Sequence, residues 1–359
     1  MIIQAVLLLH VLLPVQVAAS QTPAETAKLL ESATDAENRG DFEQAIADFR
    51  KAVELSPSST LALLKLGHAY MKKQDYGAAI PPLKRAAELS PDSLSVHRLL
   101  GYALLSQGYA AEAIPHLESA HESGALGIAQ LQAGRSGEAV MNLKDALTKS
   151  PEDPDLIYYL ARAAAALSSE SNEKLVAQFP QTARGHQVLG QNYYAARMFS
   201  EAEKEYEKAI ALRPDLPGLH LELGEIYAAT SQWTQAEEQI RTEAKIQPGN
   251  AEVAYRLGDA LLHRGNMKEA AEELRRSDSL RPDMPETLYA LGRALAVTDP
   301  NGAERALDRL IDIELQSPLA AQAYLLLAST HRRQGKSEQA ARDMEEYKRI
   351  HGAASKPEQ

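Results

Sequence analysis

Ten histidines and 49 acidic residues are the groups in this chain of 359 residues that could hold a metal or move a proton. His97, His186 and His220 each precede a Leu-Gly pair by three residues, so they could form a ladder of imidazoles. That spacing also places each of them on the apolar stripe of a helix, where a packed, half-buried histidine is the expected state. His116 and His121 are five apart, which does not put them on one helical face. Glu201, Glu203, Glu205 and Glu207, and again Glu269, Glu272 and Glu273, offer carboxylate pairs for acid–base work. Lysines and arginines are interleaved with them, as on a solvated helix face carrying i,i+4 pairs. The chain has no GxxxxGK[ST], HExxH, GxSxG or GxGxxG run. Cysteine is absent, which excludes disulfides and thiolate metal sites. Catalysis, a cofactor and a metal are therefore not expected.

The elements that carry these residues recur. Pro214, Pro248 and Pro282 are evenly spaced, and Pro57 and Pro91 stand at the same interval. Before Pro91, Leu63, Leu66, Gly67 and Tyr70 fall at i, i+3, i+4 and i+7, one face of a helix. Gln74-Asp75 makes a turn, and Ala79, Leu83 and Ala86 form the stripe of a second helix. Proline disfavours helical geometry in the residue before it, so Pro91 ends the unit. Pro81, Pro82 and Pro115 are expected in the first turn of a second helix, where a missing N–H costs nothing. The same pattern returns around Leu189-Gly190, Leu223-Gly224 and Leu257-Gly258, and around Leu327-Ala328 with alanine in the glycine place.

This grammar, with its period of about 34 residues, resembles the tetratricopeptide repeat family. Leu63 stands in the family's tryptophan slot and Leu83 in its phenylalanine slot. The resemblance implies an all-α, right-handed superhelical solenoid of about ten antiparallel helix pairs over residues 24–351. The period is broken near 121–180. The step from Pro91 to Pro151 falls short of two full periods, and that from Pro151 to Pro180 falls short of one. Half-arrays at 24–120 and 181–351, joined by irregular repeats with truncated second helices, are expected to flex about this segment. The unit from Pro154 to Pro180 is degenerate, with Ala163–Ala166 replacing a packing face. The step from Gly265 to Gly335 slightly exceeds two periods, with Pro300-Asn301-Gly302 expected as the insertion.

In that family the first helices line the concave side and partners bind there. The face opposite each packing stripe then holds Arg98 and Tyr102, then Tyr158, Tyr159 and Arg162, then Arg184 and Tyr194. Glu222 and Glu225 come next, then Tyr255, Arg256 and Asp259, then Tyr289 and Arg293, and Lys65, His68, Lys72, Gln187, Gln191, Arg332 and Arg333 share that face. Tyrosine and arginine give large contact area and directional donors, and both are enriched at binding hot spots. Net charge is −11, while the groove set carries no acidic excess, which assigns that excess to the outside. Protein or peptide segments carrying acidic groups are the expected partners. Nucleic acid is not, because the acidic balance opposes it.

The first twenty residues, MIIQAVLLLHVLLPVQVAAS, hold an apolar run from Ile2 to Leu13 and small residues before Ser20. They resemble a secretory signal peptide, with an uncleaved membrane anchor as the alternative. Membrane contact is expected only in the second case, and an extracytoplasmic location in both. The last residues, 352–359, are small and polar and are expected to be disordered. The resulting expectation is a noncatalytic exported scaffold that binds segments in its groove. A structural assembly factor for cell-envelope machinery, such as polysaccharide export or outer-membrane biogenesis, is the alternative.

Overall fold

A computed structural model describes residues 22–354, so the leader at 1–20 and the end of the tail, 355–359, lie outside the described residues. Nineteen helices and no strand occur among the described residues. They form two compact units that part between Ser171 and Asn172.

Unit 1 contains four antiparallel pairs. They are α1 (Thr22–Asn38) with α2 (Phe42–Leu55), α3 (Thr60–Lys72) with α4 (Tyr76–Leu89), α5 (Leu94–Ser106) with α6 (Ala110–Ser119), and α7 (Ser123–Gln132) with α8 (Ser136–Lys149). The helix α9 (Pro154–Gln178) follows and runs across the boundary. Unit 2 contains five pairs: α10 (Ala183–Ala195) with α11 (Phe199–Leu212), α12 (Leu219–Ala229) with α13 (Trp233–Ile246), and α14 (Ala251–His263) with α15 (Met267–Leu280). The last two are α16 (Pro285–Leu295) with α17 (Pro300–Ile313), and α18 (Pro318–Arg333) with α19 (Ser337–Ala354). Helix α19 takes in residues 352–354, which the sequence assigns to the tail.

The predicted stripes are the core. Ala45, Ala79, Ala113, Ala139, Ala202, Ala236, Ala270 and Ala303 are completely buried on the second helices. One turn on, Phe49, Leu83, Leu117, Leu143, Tyr206, Ile240, Leu274 and Leu307 (four residues after each alanine) are buried as well. Each of the last seven fills the space over a glycine of the preceding first helix. A methyl group on Gly101 would lie 2.6 Å from Leu117 Cδ2, and one on Gly224 2.6 Å from Ile240 Cγ1. The glycine is what lets the two backbones approach this closely.

Four details differ from the sequence-based expectations. The unit from Pro154 to Pro180 is one uninterrupted helix of 25 residues, not a degenerate pair. In eight of the nine true pairs the turn is made by one residue in the left-handed region: Gly40, Gln74, Gly108, Gly134, Arg197, Ser231, Gly265 or Gly335. No residue between Pro154 and Gln178 adopts that conformation, and the Ala163–Ala166 run favours continuation. Ala163 alone among the 25 residues of α9 is buried, within a small cluster that includes Leu143 and Ala139 of α8.

The truncated helices are α6 and α7, with 10 residues each, whereas the second helix α8 keeps its full 14. Pro81, Pro82 and Pro115 lie inside α4 and α6, beyond the first turn, and each removes an N–H that an uninterrupted ladder would use. Pro300-Asn301-Gly302 is no insertion. Pro300 opens α17, and the Asp299 carboxylate accepts from the Gly302 N–H at 3.0 Å. The extra length falls later, where α18 has 16 residues against 13 in α14.

Candidate functional site

The three histidines that precede Leu-Gly pairs are structural bridges. Each reaches a polar side chain in the second helix of its own pair. His97 Nδ1 lies 2.9 Å from His116 Nδ1, His186 Nδ1 2.6 Å from Glu205 Oε2, and His220 Nδ1 2.7 Å from Gln239 Oε1. Among the described residues no three histidine or carboxylate side chains converge as a metal site would require.

The first of these bridges is sensitive to protons. His97 Nε2 is 2.6 Å from the Pro91 carbonyl oxygen, which can only accept. Neutral His97 therefore carries its proton on Nε2, and its Nδ1 accepts from the His116 Nδ1–H. Burial, then the neighbouring His97 and Lys84, hold the His116 imidazole below its ordinary value of 6.5. The folded chain takes up that proton at a lower pH than the unfolded chain does. The contribution to stability is complete above the unfolded value and is lost as pH falls through the lowered folded one. Melting temperature is expected to fall between about pH 8 and about pH 5, and to fall less steeply in His116→Gln. Equal slopes in the two proteins would show that the pair does not set the dependence.

In unit 1 the polar face of the first helices is tied together by carboxylates. Glu37 of α1 accepts from His68 of α3 at 2.6 Å, with Lys65 at 4.0 Å. Glu122, which caps the start of α7, accepts from the Tyr102 hydroxyl at 3.0 Å and pairs with Arg98 at 3.8 Å. Burial and this bond push the Tyr102 hydroxyl up to about 12, so it stays a donor. Tyr158 and Tyr159 of α9 meet edge to face with centroids 5.3 Å apart, and Arg162 lies over the Tyr158 ring at 5.8 Å. Tyr159 packs on the Ala139–Leu143–Ala163 cluster, while Tyr158 is exposed.

In unit 2 the links run from α10 to α12 to α14. Gln187 and Gln191 donate to Glu222 at 2.9 and 3.2 Å, and the buried Tyr206 hydroxyl donates to the same carboxylate at 2.6 Å. Arg256 lies 3.3 Å from Glu225 on α12 and 2.7 Å from Glu252 one turn back on α14, with its guanidinium 5.4 Å above the Tyr255 ring. Arg184 is exposed and donates to Gln187. Tyr289 and Arg293 are half-buried on α16, where Tyr289 packs against the Leu288–Leu307–Leu327 cluster.

A cavity of about 320 Å³ opens between α12 and α14. Tyr194 of α10 and Trp233 of α13 line it, together with Glu225, Arg256 and Asp259. Trp233 stacks on His263 with centroids 3.8 Å apart. Burial, and then Glu222 and Glu252, push the Glu225 carboxyl up, against the opposing pull of Arg256.

The set of residues expected from the sequence is therefore divided. Tyr194 and Arg256 line one cavity, Tyr255 lies under the Arg256 guanidinium, and Tyr289 and Arg293 lie on the next first helix of the same unit. Arg98 and Tyr102 form a separate group in unit 1, as do Tyr158, Tyr159 and Arg162. The expectation of a groove without acidic excess is corrected in unit 2. Helices α12 and α14 carry Glu222, Glu225, Glu252 and Asp259 against one arginine, Arg256. That arginine is bracketed by two carboxylates, and Arg98 and Tyr102 are engaged by Glu122, so carboxylates of the chain itself already offset both arginines. Periodicity does not single out Glu252 or Trp233 as groove residues. Glu225 and Arg256 are separated by nearly one repeat, the kind of spacing that would reveal such links.

No curated protein matches the sequence. Solved structures are similar at low identity. YrrB, described as a TPR protein with an unusual peptide-binding site, is 17% identical, with 51% of this chain and 93% of that chain covered and a TM-score of 0.46. MamA from Desulfovibrio magneticus RS-1 is 16% identical, covering 48% of this chain and 97% of that one, with a TM-score of 0.46. Yeast Tom70 is 13% identical over 92% of each chain, with a TM-score of 0.38. Tetratricopeptide repeat profiles match residues 30–93, 64–124, 183–216, 221–285 and 286–355. Within the matched stretches Gly67, Gly101, Gly190, Gly224, Gly258 and Gly292 each sit under a large side chain of the next helix, and by these matches the chain belongs to the tetratricopeptide repeat family.

Proposed function

We propose that this protein is a noncatalytic scaffold that binds protein or peptide segments along the first-helix faces, and that it works outside the cytoplasm. The observation that carries the binding role is the open cavity of unit 2. There Tyr194 is 38% exposed on a face whose neighbouring polar groups are already held in place by helix-to-helix bonds. A preorganised aromatic on a rigid helix loses little freedom when it is covered. The location rests on the apolar run Ile2–Leu13 and the small residues before Ser20. An acidic segment suits the exposed Arg184 better than the carboxylate-rich centre of unit 2.

A photo-reactive amino acid placed at Tyr194 or Tyr255 in the native host tests this. Both positions are expected to capture a protein from the extracytoplasmic fraction, and position Glu238, exposed on the second helix α13, is expected to capture none. Equal capture at Glu238, or no capture at the two tyrosines, would remove the groove from the proposal.

A further inference from the structure

We propose that the cavity between α12 and α14 receives a lysine or arginine side chain, so that the segment bound by unit 2 is basic. This inference rests on the groove-binding role proposed above and adds the chemistry of its ligand. Three observations support it.

The first is charge. Four carboxylates and a single arginine are carried by α12 and α14. Glu222 accepts only from neutral donors, namely Gln187, Gln191 and Tyr206. Arg256 is shared between Glu225 and Glu252. The Asp259 side chain makes no hydrogen bond among the described residues, and its one charged contact is His263 Nε2 at 3.8 Å. A ligand cation would meet Asp259 and the edge of Glu225 with little competition.

The second is the wall. Tyr194 and Trp233 both line the cavity. Aromatic faces attract ammonium and guanidinium groups, and tryptophan does so most strongly; His263 covers one of the two faces of Trp233. The long methylene stem of either side chain would cover Ala228, Ala229 and Ala260, which are also at the cavity. The third is size. About 320 Å³ lies at the small end of ligand pockets and suits one side chain of an extended segment.

Trp233 is the only tryptophan in the chain, so its fluorescence reports on this cavity alone. The experiment uses the full-length protein at about pH 8, where an ordinary histidine is neutral. It is offered decapeptide libraries with Lys, Arg, Gln or Glu fixed at a central position. Captured peptides are sequenced and retitrated against Trp233 fluorescence. Lys- and Arg-centred peptides are expected to be enriched about tenfold over Gln- and Glu-centred ones, the effect of one charge-assisted contact. They are also expected to shift the Trp233 emission.

Asp259→Asn is expected to abolish most of that enrichment without altering the thermal melt, since the side chain makes no hydrogen bond within the described fold. Glu225→Gln combined with Asp259→Asn is expected to remove the remainder. Equal capture of Gln- or Glu-centred peptides, or enrichment that survives in the double variant, would overturn the basic-segment inference while leaving groove binding in place. Failure to capture any peptide would overturn both.

Discussion

Gly258→Ala is expected to destabilise the protein by about 2 kcal/mol, within the range of about 1–3 kcal/mol usual for overpacking a close-packed core. The added methyl would lie 2.5 Å from Leu274 Cγ and 2.8 Å from its Cδ2. Leu274 is completely buried. Alanine gains about 1 kcal/mol over glycine in helix propensity, so the measured loss is already net of that gain. The chain itself suggests the rescue. In the α18–α19 pair the glycine place holds Ala328, and the large side chain opposite it in the pattern is Met344, which is unbranched. Gly258→Ala combined with Leu274→Met is therefore expected to recover part of the loss, because methionine adapts to irregular space. Urea unfolding followed by circular dichroism measures all three proteins. A single variant as stable as the wild type would show that α14 and α15 separate without cost.

Glu243→Ala is expected to cost about 1.5–3 kcal/mol, the range for losing hydrogen bonds to a charged or strongly polar group. Glu243 is completely buried in α13, at a place where α2, α4, α8 and α11 carry Ala52, Ala86, Ala146 and Ala209. Its role comes from the neighbouring helix start. Gly218, the cap of α12, has a φ of 97° and no side chain to satisfy the first turn. Glu243 Oε1 accepts the Gly218 N–H at 2.8 Å and also the Gln247 side-chain amide at 2.6 Å. The carboxyl thus stands at the positive end of α12, where a negative group is favoured. Glu243→Gln keeps a carbonyl acceptor in reach of Gly218 and is expected to lose less than alanine. If alanine were tolerated here as it is in those four helices, the carboxyl would be a passenger rather than the cap.

Both effects show what kind of information the sequence holds. The glycine places were legible because each is matched to a large side chain at a fixed offset within one helix pair, and the period repeats the match. Glu243 was not legible. It occupies a slot that holds alanine in four other second helices, and its partner, Gly218, lies far back in the chain at the start of the preceding helix. The α9 helix illustrates a different limit. Its proline boundaries at Pro154 and Pro180 were visible, but a proline period does not say whether a turn forms between them. That depends on whether any residue there adopts the left-handed conformation, and none does.

The candidate site follows the same division. Its members could be read from their place opposite the packing stripes, since helical periodicity alone decides which residues share a face. Their free chemistry could not. Arg256 looks like a donor awaiting an acidic ligand until Glu225 and Glu252 are seen on either side of it. Tyr102 looks like a free hydroxyl until it meets Glu122.

By itself, then, the sequence determined that this is an all-helical array of tetratricopeptide units and which side chains form its core. Those properties arise from contacts within a pair and are written in short, repeated spacings. Only the tertiary structure decided that Glu225, Arg256 and Asp259 meet Tyr194 and Trp233 around one cavity. It also decided that three histidines are braces and that one expected pair is a single helix. Charge and capping at a site depend on distances between neighbouring pairs, and these are set by how one helix packs on the next rather than by any local pattern of residues.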